Sequence, residues 1–435
     1  MILVYCEKIS PRLVYSARTL LSVLDEEVSF TSSIEEAKEH TGPRIWYCQL
    51  QVAEGVHVYP AGLLTDRGIN DITVPVMKWK HTQALFPSPH HAGFPFDVFS
   101  AAFYMLSRYE EYLPHRSDEH ARFEAKESLA FTHEFLEEPV VDYWAIALAE
   151  ELTQHYPYLN RADRRYTYRS TIDIDNAFAY REKGMMRTLG GYARSLVKFR
   201  LSEVMLRTRV LVGKQRDPYD TYDQLRAIHT QYGIRPTWFF LLADYGVNDK
   251  NVPFHNRKFQ SLIKLLADYG DAGIHPSFGS ARDPRKLATE IERLSGILNR
   301  EIIRSRQHFL KLEFPKTYRQ LILHDVREDH TLGFASRIGF RAGTCHPYLF
   351  YDLEREETTD LTIVPFQVMD ATLRYYMKVE PSEVIARIRP VIDRVREVKG
   401  CFVSLWHNES LSENAIWKGW NGVYEEVVRE ASKTG

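Results

Sequence analysis

The chain has 435 residues, of which 44% are hydrophobic and 26% charged, and its formal net charge is −2. That is the balance of an ordinary soluble globular protein, long enough for two or three domains around sizeable cores. The near-zero charge leaves no bulk electrostatic case for nucleic acid as a partner, and no apolar run approaches the length of a transmembrane helix.

Met1 to Leu24 lacks a basic leader followed by an unbroken apolar stretch, so no signal peptide is expected. Strand-like runs follow at Ile2-Leu3-Val4-Tyr5 and Arg44-Ile45-Trp46-Tyr47-Cys48. Phe99, Ala102, Phe103, Leu106 and Tyr109 predict a long amphipathic helix over Asp97 to Tyr112, and a second helix is expected from about Asp142 to His155. Between them Leu113 to Glu137, rich in charge and His, reads as irregular. Asn160 to Arg165 is a polar hinge that closes a mixed α+β half, residues 1–160. Cys6, Cys48, Cys345 and Cys401 are scattered with no CxxC pair, which suits structural thiols in a reducing, cytoplasmic location.

From Tyr166 onward strands and helices alternate. The first strand is Tyr166 to Ile172, and a helix runs from Tyr222 to Tyr232 with Gly233 as its stop. Pro236 to Leu242 reads as a buried strand, Phe259 to Tyr269 as a helix and Ala272 to His275 as a short strand. Asp283 caps a helix with Pro284 in its first position, running to about Leu298. A strand at Ile302 to Ser305 and a helix from Pro315 to Val326 come next, then strands at Leu361 to Phe366 and Cys401 to Trp406. Pro390 is expected to break or kink the helix around Ser382 to Val398. Such alternation argues for an α/β architecture with a parallel sheet, open or closed into a barrel. Functional residues of barrels gather at the carboxyl ends of strands, and Asp173, Asp175, His275, Arg306, His308 and His407 all fall there.

In Thr171-Ile172-Asp173-Ile174-Asp175 two carboxylates stand two residues apart, so a strand presents both on one side. Like charges that close need a cation, a proton or strong hydrogen bonds. A metal site beside a general base is one solution; Asp-x-Asp also occurs in Ca²⁺ loops and sugar-transferase sites, and as a pair of solvated loop carboxylates.

In order, the motifs of residues 166–435 resemble those of the polysaccharide deacetylase (NodB-homology, carbohydrate esterase family 4-like) superfamily. Thr171 to Asp175 is similar to its first motif, Thr237-Trp238-Phe239-Phe240 to its second strand, and Gly273 to Ser277 to its His motif. Ser305 to Phe309 stands where the family has an Arg followed by Pro, Glu328 to Leu332 resembles its Tyr-Asp-Ser segment, and Leu405 to Asn408 its final strand ending in His. The resemblance implies a distorted (β/α) barrel that hydrolyses an acetyl amide or ester of an amino sugar or glycan with a metal-activated water. The N-terminal half resembles an uncharacterised domain that accompanies this barrel in one branch of the superfamily. A place over the barrel mouth, where it would set substrate size, is the reading for it.

The family's second motif supplies two metal-binding histidines four residues apart, but here the position four after His275 is Gly279. His308 is the candidate replacement and His346 the runner-up. The resemblance therefore implies Asp175, His275 and His308 around a divalent ion, Zn²⁺ by its donors. It implies Asp173 as general base, Arg306 as the holder of that base, His407 as general acid and Asp329 as the residue that tunes His407. Arg341, Tyr348 and Trp406 are candidates for a substrate groove.

Residues 181–216 carry ten Lys or Arg against two carboxylates, with Leu, Val and Met interleaved at helical spacing. They read as an amphipathic insertion, either packed down by its apolar face or in peripheral contact with a membrane surface. Besides the deacetylase, two readings of function stay open: a metal-free carbohydrate-binding or scaffold barrel, favoured by Gly279, and a hydrolase of a non-sugar amide.

Overall fold

The computed structural model describes residues 1–50, 54–89 and 93–433. Its N-terminal part contains β1 (Ile2–Cys6), α1 (Pro11–Leu21), β2 (Val28–Thr31), α2 (Ile34–Glu39), β3 (Arg44–Tyr47) and β4 (Val56–Val58). Ser10 caps α1 by accepting from the Leu13 N–H, with Pro11 in the first turn. The four strands form a parallel sheet in the order β2-β1-β3-β4. A hairpin of β5 (Val76–Trp79) and β6 (Thr82–Leu85) precedes α3 (Val98–Leu106), α4 (Leu129–Thr132) and α5 (Val140–His155).

The helix expected over Asp97 to Tyr112 ends earlier, at Leu106, and is buried on every side rather than amphipathic. Arg108 takes a left-handed conformation (φ 54°) and a 3₁₀ turn, Tyr109–Glu111, follows. That turn places Glu111 between two buried cations: it accepts from Arg108 Nε at 2.8 Å and Arg341 Nε at 2.9 Å. Burial opposes ionisation of Glu111, but Arg341 and Arg108 outweigh it and hold the carboxyl below its ordinary range. Glu111→Ala would strand two guanidinium groups in the core, so a loss of about 3–5 kcal/mol in chemical denaturation is expected. A loss under about 1 kcal/mol, the range of an exposed pair, would show that this cluster does not tie the two halves together. The wild-type contribution is complete above the unfolded carboxyl's pKa, about 4.3, and is lost as pH falls through the lower folded value.

The rest of the chain alternates. β7 (Thr167–Ile174) leads into α6 (Met185–Val197), α7 (Leu201–Leu211) and α8 (Tyr222–Gln231). Then come β8 (Thr237–Phe240), α9 (Arg257–Tyr269), β9 (Asp271–Ile274), α10 (Pro284–Leu298), β10 (Arg304–Ser305), α11 (Lys316–Leu323) and β11 (Glu328–Asp329). β12 (Tyr348–Asp352), β13 (Glu357–Ile363), β14 (Val368–Met369), α12 (Val384–Glu397), β15 (Cys401–His407) and α13 (Asn421–Ala431) complete it. Nine strands form one sheet in the order β12-β13-β11-β10-β9-β8-β7-β15-β14, parallel except for β12. No pairing among the described residues joins β14 to β12, so the hydrogen-bonded sheet has two edges.

Helix α10 follows its sequence signals, with Asp283 capping and Asn299 left-handed at its end. Helix α12 does not: it runs unbroken through Pro390. Pro390 lies on the exposed face, where water can serve the carbonyl its missing N–H would have bonded. Val384, Ile388, Val391, Ile392 and Val395 pin the opposite face to the core.

Strand alternation divides the sheet's two faces. Ile172, Ile174, Phe402 and Trp406 join the core beneath the helices, whereas Val403 and Leu405 join a small cluster on the other face with Leu310, Phe366 and Met369. The N-terminal core is continuous with β12, β13 and α11, through Tyr318, Leu321, Phe350, Leu361 and Ile363.

Candidate active site

The polar residues emerge at the carboxyl ends of the central parallel strands. Asp175 is the first residue past β7, His275 past β9, Arg306 past β10 and Asp370 past β14, while His407 is the last residue of β15. Register places His407 beside Asp173 on neighbouring strands. Ile172 and Ile174 point into the helix-side core, so alternation turns Asp173 and Asp175 to the other face.

Asp175 is the centre of the cluster. Its Oδ1 lies 3.1 Å from His275 Nε2, and its Oδ2 lies 3.4 Å from His308 Nε2 and 3.9 Å from His407 Nε2. The opposite ring nitrogen of each of the first two histidines is already engaged. His275 Nδ1 lies 2.5 Å from the Arg306 carbonyl oxygen, which can only accept. His308 Nδ1 lies 2.9 Å from Asp249 Oδ1, a carboxylate that also takes the Phe278 N–H. Each neutral ring therefore carries its proton on Nδ1 and turns an Nε2 lone pair toward Asp175. Asp175 Oδ1 is buried and has no hydrogen-bond partner among the described residues. Two imidazole lone pairs facing a carboxylate repel unless a cation or protons lie between them. Without a metal a proton answers the geometry: burial disfavours the imidazolium, but Asp175 and Asp249 raise His308 to about 9. Asp175 responds in turn, held well below its ordinary value by His308 and His275 against the cost of burial.

Asp173 stands beside this group. Arg306 Nη1 donates to Asp173 Oδ1 at 2.9 Å and to Thr171 Oγ1 at 2.7 Å, and its Nε donates to the His330 carbonyl at 2.9 Å. The guanidinium is fully buried and lies over the Phe239 ring. The other Asp173 oxygen, Oδ2, lies 3.7 Å from His275 Nε2, facing the cluster.

His407 is clamped by Asp370, which receives its backbone N–H and its Nδ1, both at 2.8 Å. Burial works against the charged ring, but Asp370, Asp175 and Asp173 raise its pKa well above the ordinary value.

The structure thus brings Asp173, Asp175, His275, Arg306, His308 and His407 together. Asp329 is elsewhere: it is enclosed by Thr331, whose N–H and Oγ1 lie at 3.0 and 2.8 Å, and burial raises it to about 6. The partner of His407 is Asp370, because β14 pairs with β15 and β11 does not. His346 sits apart with Asp142 of α5 and Cys345, its Nδ1 3.2 Å from Asp142. Nor do the three residues expected to bind substrate reach the site. Trp406 precedes His407 by one residue, so alternation sends it to the helix side, fully buried against Trp420 and Tyr424. Arg341 is consumed by Glu111, and Tyr348 is buried in the N-terminal core.

A cavity of about 540 Å³ opens over the cluster instead, with Phe309, Tyr375, Tyr376 and Trp417 in its wall. The N-terminal part adds Glu119, His120 and Arg122, and Arg122 bonds the Phe309 carbonyl at 3.0 Å and the Tyr376 hydroxyl at 2.8 Å. Asp249 and Asp370 were missed in the sequence. The only available signal was position, since Asp370 directly follows β14 and Asp249 lies in the loop after β8, both past the carboxyl ends of strands, and the two-residue β14 is too brief to recognise.

The family described as "Family of unknown function (DUF7033)" matches residues 2–157. No curated protein matches the chain. Among solved structures the chain is similar to a protein assigned as a polysaccharide deacetylase from Mycobacterium smegmatis, at 14% identity and TM-score 0.41, covering 62% of this chain and 85% of that one. Another so assigned, from Pseudomonas aeruginosa, is similar at 10% identity and TM-score 0.39, covering 61% and 85%. A CE4 family pseudoenzyme from Bacillus anthracis is similar at 10% identity and TM-score 0.28, covering 61% of each chain.

Proposed function

We propose that the chain is a metal-dependent hydrolase that removes acetyl groups from an amino sugar or glycan. The observation that carries this reading is the convergence of the His275 and His308 Nε2 lone pairs on the Asp175 carboxylate, 3.1 Å from Oδ1 and 3.4 Å from Oδ2. One oxygen and two imidazole nitrogens form a donor set suited to Zn²⁺, with positions left for water and substrate. A divalent ion held there would lower the pKa of a bound water and polarise the acetyl carbonyl.

The chain's own residues supply the remaining steps. Asp173, fixed by Arg306, takes a proton from the attacking water through Oδ2. His407, held by Asp370, gives a proton to the departing amine through Nε2. Arg306 keeps Asp173 from turning toward Asp175. Phe309, Tyr375, Tyr376 and Trp417 offer apolar faces to a sugar ring, and the N-terminal loop at Glu119 to Arg122 limits how large a glycan enters.

A metal-free carbohydrate-binding barrel is the rival reading, because Gly279 stands where the family has a second metal histidine. His308 favours the hydrolase: seated between Asp175 and Asp249, it completes a three-donor group with Asp175 and His275. The test is acetate release from N-acetylated and O-acetylated oligosaccharides, with a simple N-acetylated amine beside them for the non-sugar alternative. Zinc-loaded protein is expected to release acetate from a sugar on the order of 10²-fold faster than chelated protein. Binding of the sugars without release under every metal condition would replace the hydrolase with the binding protein.

A further inference from the structure

The two-helix insertion after β7 takes no part in the proposed chemistry. Helix α6 and helix α7 form a hairpin that buries Val210 but leaves a row of other apolar side chains exposed. Met185, Met186, Val197 and Leu201 are 77%, 81%, 77% and 62% exposed, and Phe199 at the turn is 89% exposed. On α6, Met185, Met186, Leu189, Leu196 and Val197 share one arc of the helix, while Arg187, Arg194 and Lys198 share the opposite one. On α7, Leu201, Met205 and Val212 lie on a single exposed face. Phe199 also has φ of 53°, a conformation rare for a bulky residue other than Gly, Asn or Asp. The turn closes α6 with the Phe199 and Arg200 N–H groups bonded to the Leu196 and Ser195 carbonyls, and it puts in a position that usually takes Gly a phenyl ring held out in water.

Beneath the hairpin lies a cavity of about 640 Å³. Lys183, Arg187, Arg194, Lys198, Arg200 and Arg207 line it with Lys250, and among the described residues Glu203 is the only carboxylate in its wall. Glu203 is already taken by Arg207 at 3.1 Å. Arg187 donates to the Asn251 carbonyl and lies over the Tyr245 ring. Lys183, Arg194, Lys198 and Lys250 make no side-chain hydrogen bond or ion pair among the described residues. The cavity therefore has unspent cationic donors, and it reaches Asn176, the chain neighbour of Asp175.

We propose that this hairpin is a docking surface for an anionic phospholipid membrane, its apolar crest entering the acyl boundary and its cationic cavity receiving a headgroup phosphate. The pairing of features selects the occupant. An exposed apolar crest alone would serve a protein partner as well, and a basic cavity alone would serve any soluble anion. A second copy of the hairpin is disfavoured, because it would cover the apolar crest but leave the cationic cavity beneath without an anion, and it would bring two segments of ten cations each close together. An apolar crest with a basic opposite arc is the pattern of helices that lie in a bilayer interface, where acyl burial and attraction to anionic lipids act together. The inference does not depend on the hydrolase reading, since binding is measured without turnover.

The test uses the full chain with vesicles of phosphatidylcholine alone and of phosphatidylcholine with about 30% phosphatidylglycerol, read by co-sedimentation at low and high salt. Binding to the anionic vesicles is expected to exceed binding to the neutral ones by on the order of tenfold and to weaken at high salt. Phe199→Ser with Val197→Ser should lower it by about tenfold or more by removing buried apolar surface, and Arg194→Glu with Lys198→Glu by a similar factor. These positions are on the surface, and an unchanged melting temperature separates lost binding from lost folding. No binding to the anionic vesicles overturns the proposal. So does vesicle binding that neither double variant changes. A dimer in light scattering that Phe199→Ser dissolves assigns the crest to a second copy and overturns it as well. Glycerol phosphate bound as tightly as the vesicles, with no dependence on Phe199, assigns the cavity to a soluble anion instead.

Discussion

Reconstituted protein is expected to hold about one zinc ion per chain, and His308→Ala to bind zinc more than about 100-fold more weakly, a loss beyond the 10–100-fold in affinity that changes behind a ligand produce. The argument rests on how His308 is held. Its Nδ1 is fixed by Asp249 at 2.9 Å, which leaves Nε2 aimed at Asp175 Oδ2 at 3.4 Å. Removing the ring leaves one imidazole and one carboxylate, too few for a closed protein ligand set. Asp249→Ala keeps the ring but frees its orientation and proton position, so a smaller fall, about 10–100-fold in affinity, is expected. His346→Ala is the control: that ring pairs with Asp142 in a separate group, and full occupancy should persist. Elemental analysis after dialysis, with a competition titration for affinity, reads all three. Undiminished zinc in His308→Ala, or loss in His346→Ala, would overturn the ligand set.

The second large effect is expected at His407. His407→Gln should lower kcat on an N-acetylated sugar by about 10²–10⁴-fold, the range of a positioned general acid, while zinc content stays unchanged. Its Nε2 lies 3.9 Å from Asp175, toward the cluster, while Asp370 holds Nδ1. Burial opposes the charge on the ring and Asp370, Asp175 and Asp173 restore it, so the residue enters the reaction as an acid. An amine cannot leave without that proton, but a nitrophenolate can. The same variant should therefore lose less than about tenfold on 4-nitrophenyl acetate, whose leaving group needs no acid. Equal losses on both substrates would assign His407 to positioning rather than proton transfer.

Much of this site was legible before the fold was known. Asp173 and Asp175 are two apart, and side-chain alternation puts both on one side of β7 whatever the sheet does around them. The helices with caps and long apolar registers, such as α10 and α9, were equally local. The same alternation rule, applied on β15 one residue before His407, would have removed Trp406 from the substrate groove. Its neighbour His407 faces the site, so Trp406 must face the helices. The Pro390 expectation failed for a different reason. A local rule gives the cost of a proline in a helix, but the packing of Val384 to Val395 decides whether the helix tolerates it.

The sequence by itself determined the alternating α/β pattern, the carboxylate pair and the basic, apolar character of residues 181–216, because each depends on neighbours a few positions away. Only the tertiary structure decided which distant groups meet. Asp249 reaches His308 across 59 positions, Asp370 reaches His407 across 37, and Arg122 reaches Phe309 across 187. It likewise decided that the apolar side of the α6–α7 hairpin stays uncovered. The physical reason is the same in each case: strand order and helix docking are set by summed burial over the whole chain, and no local spacing encodes that sum.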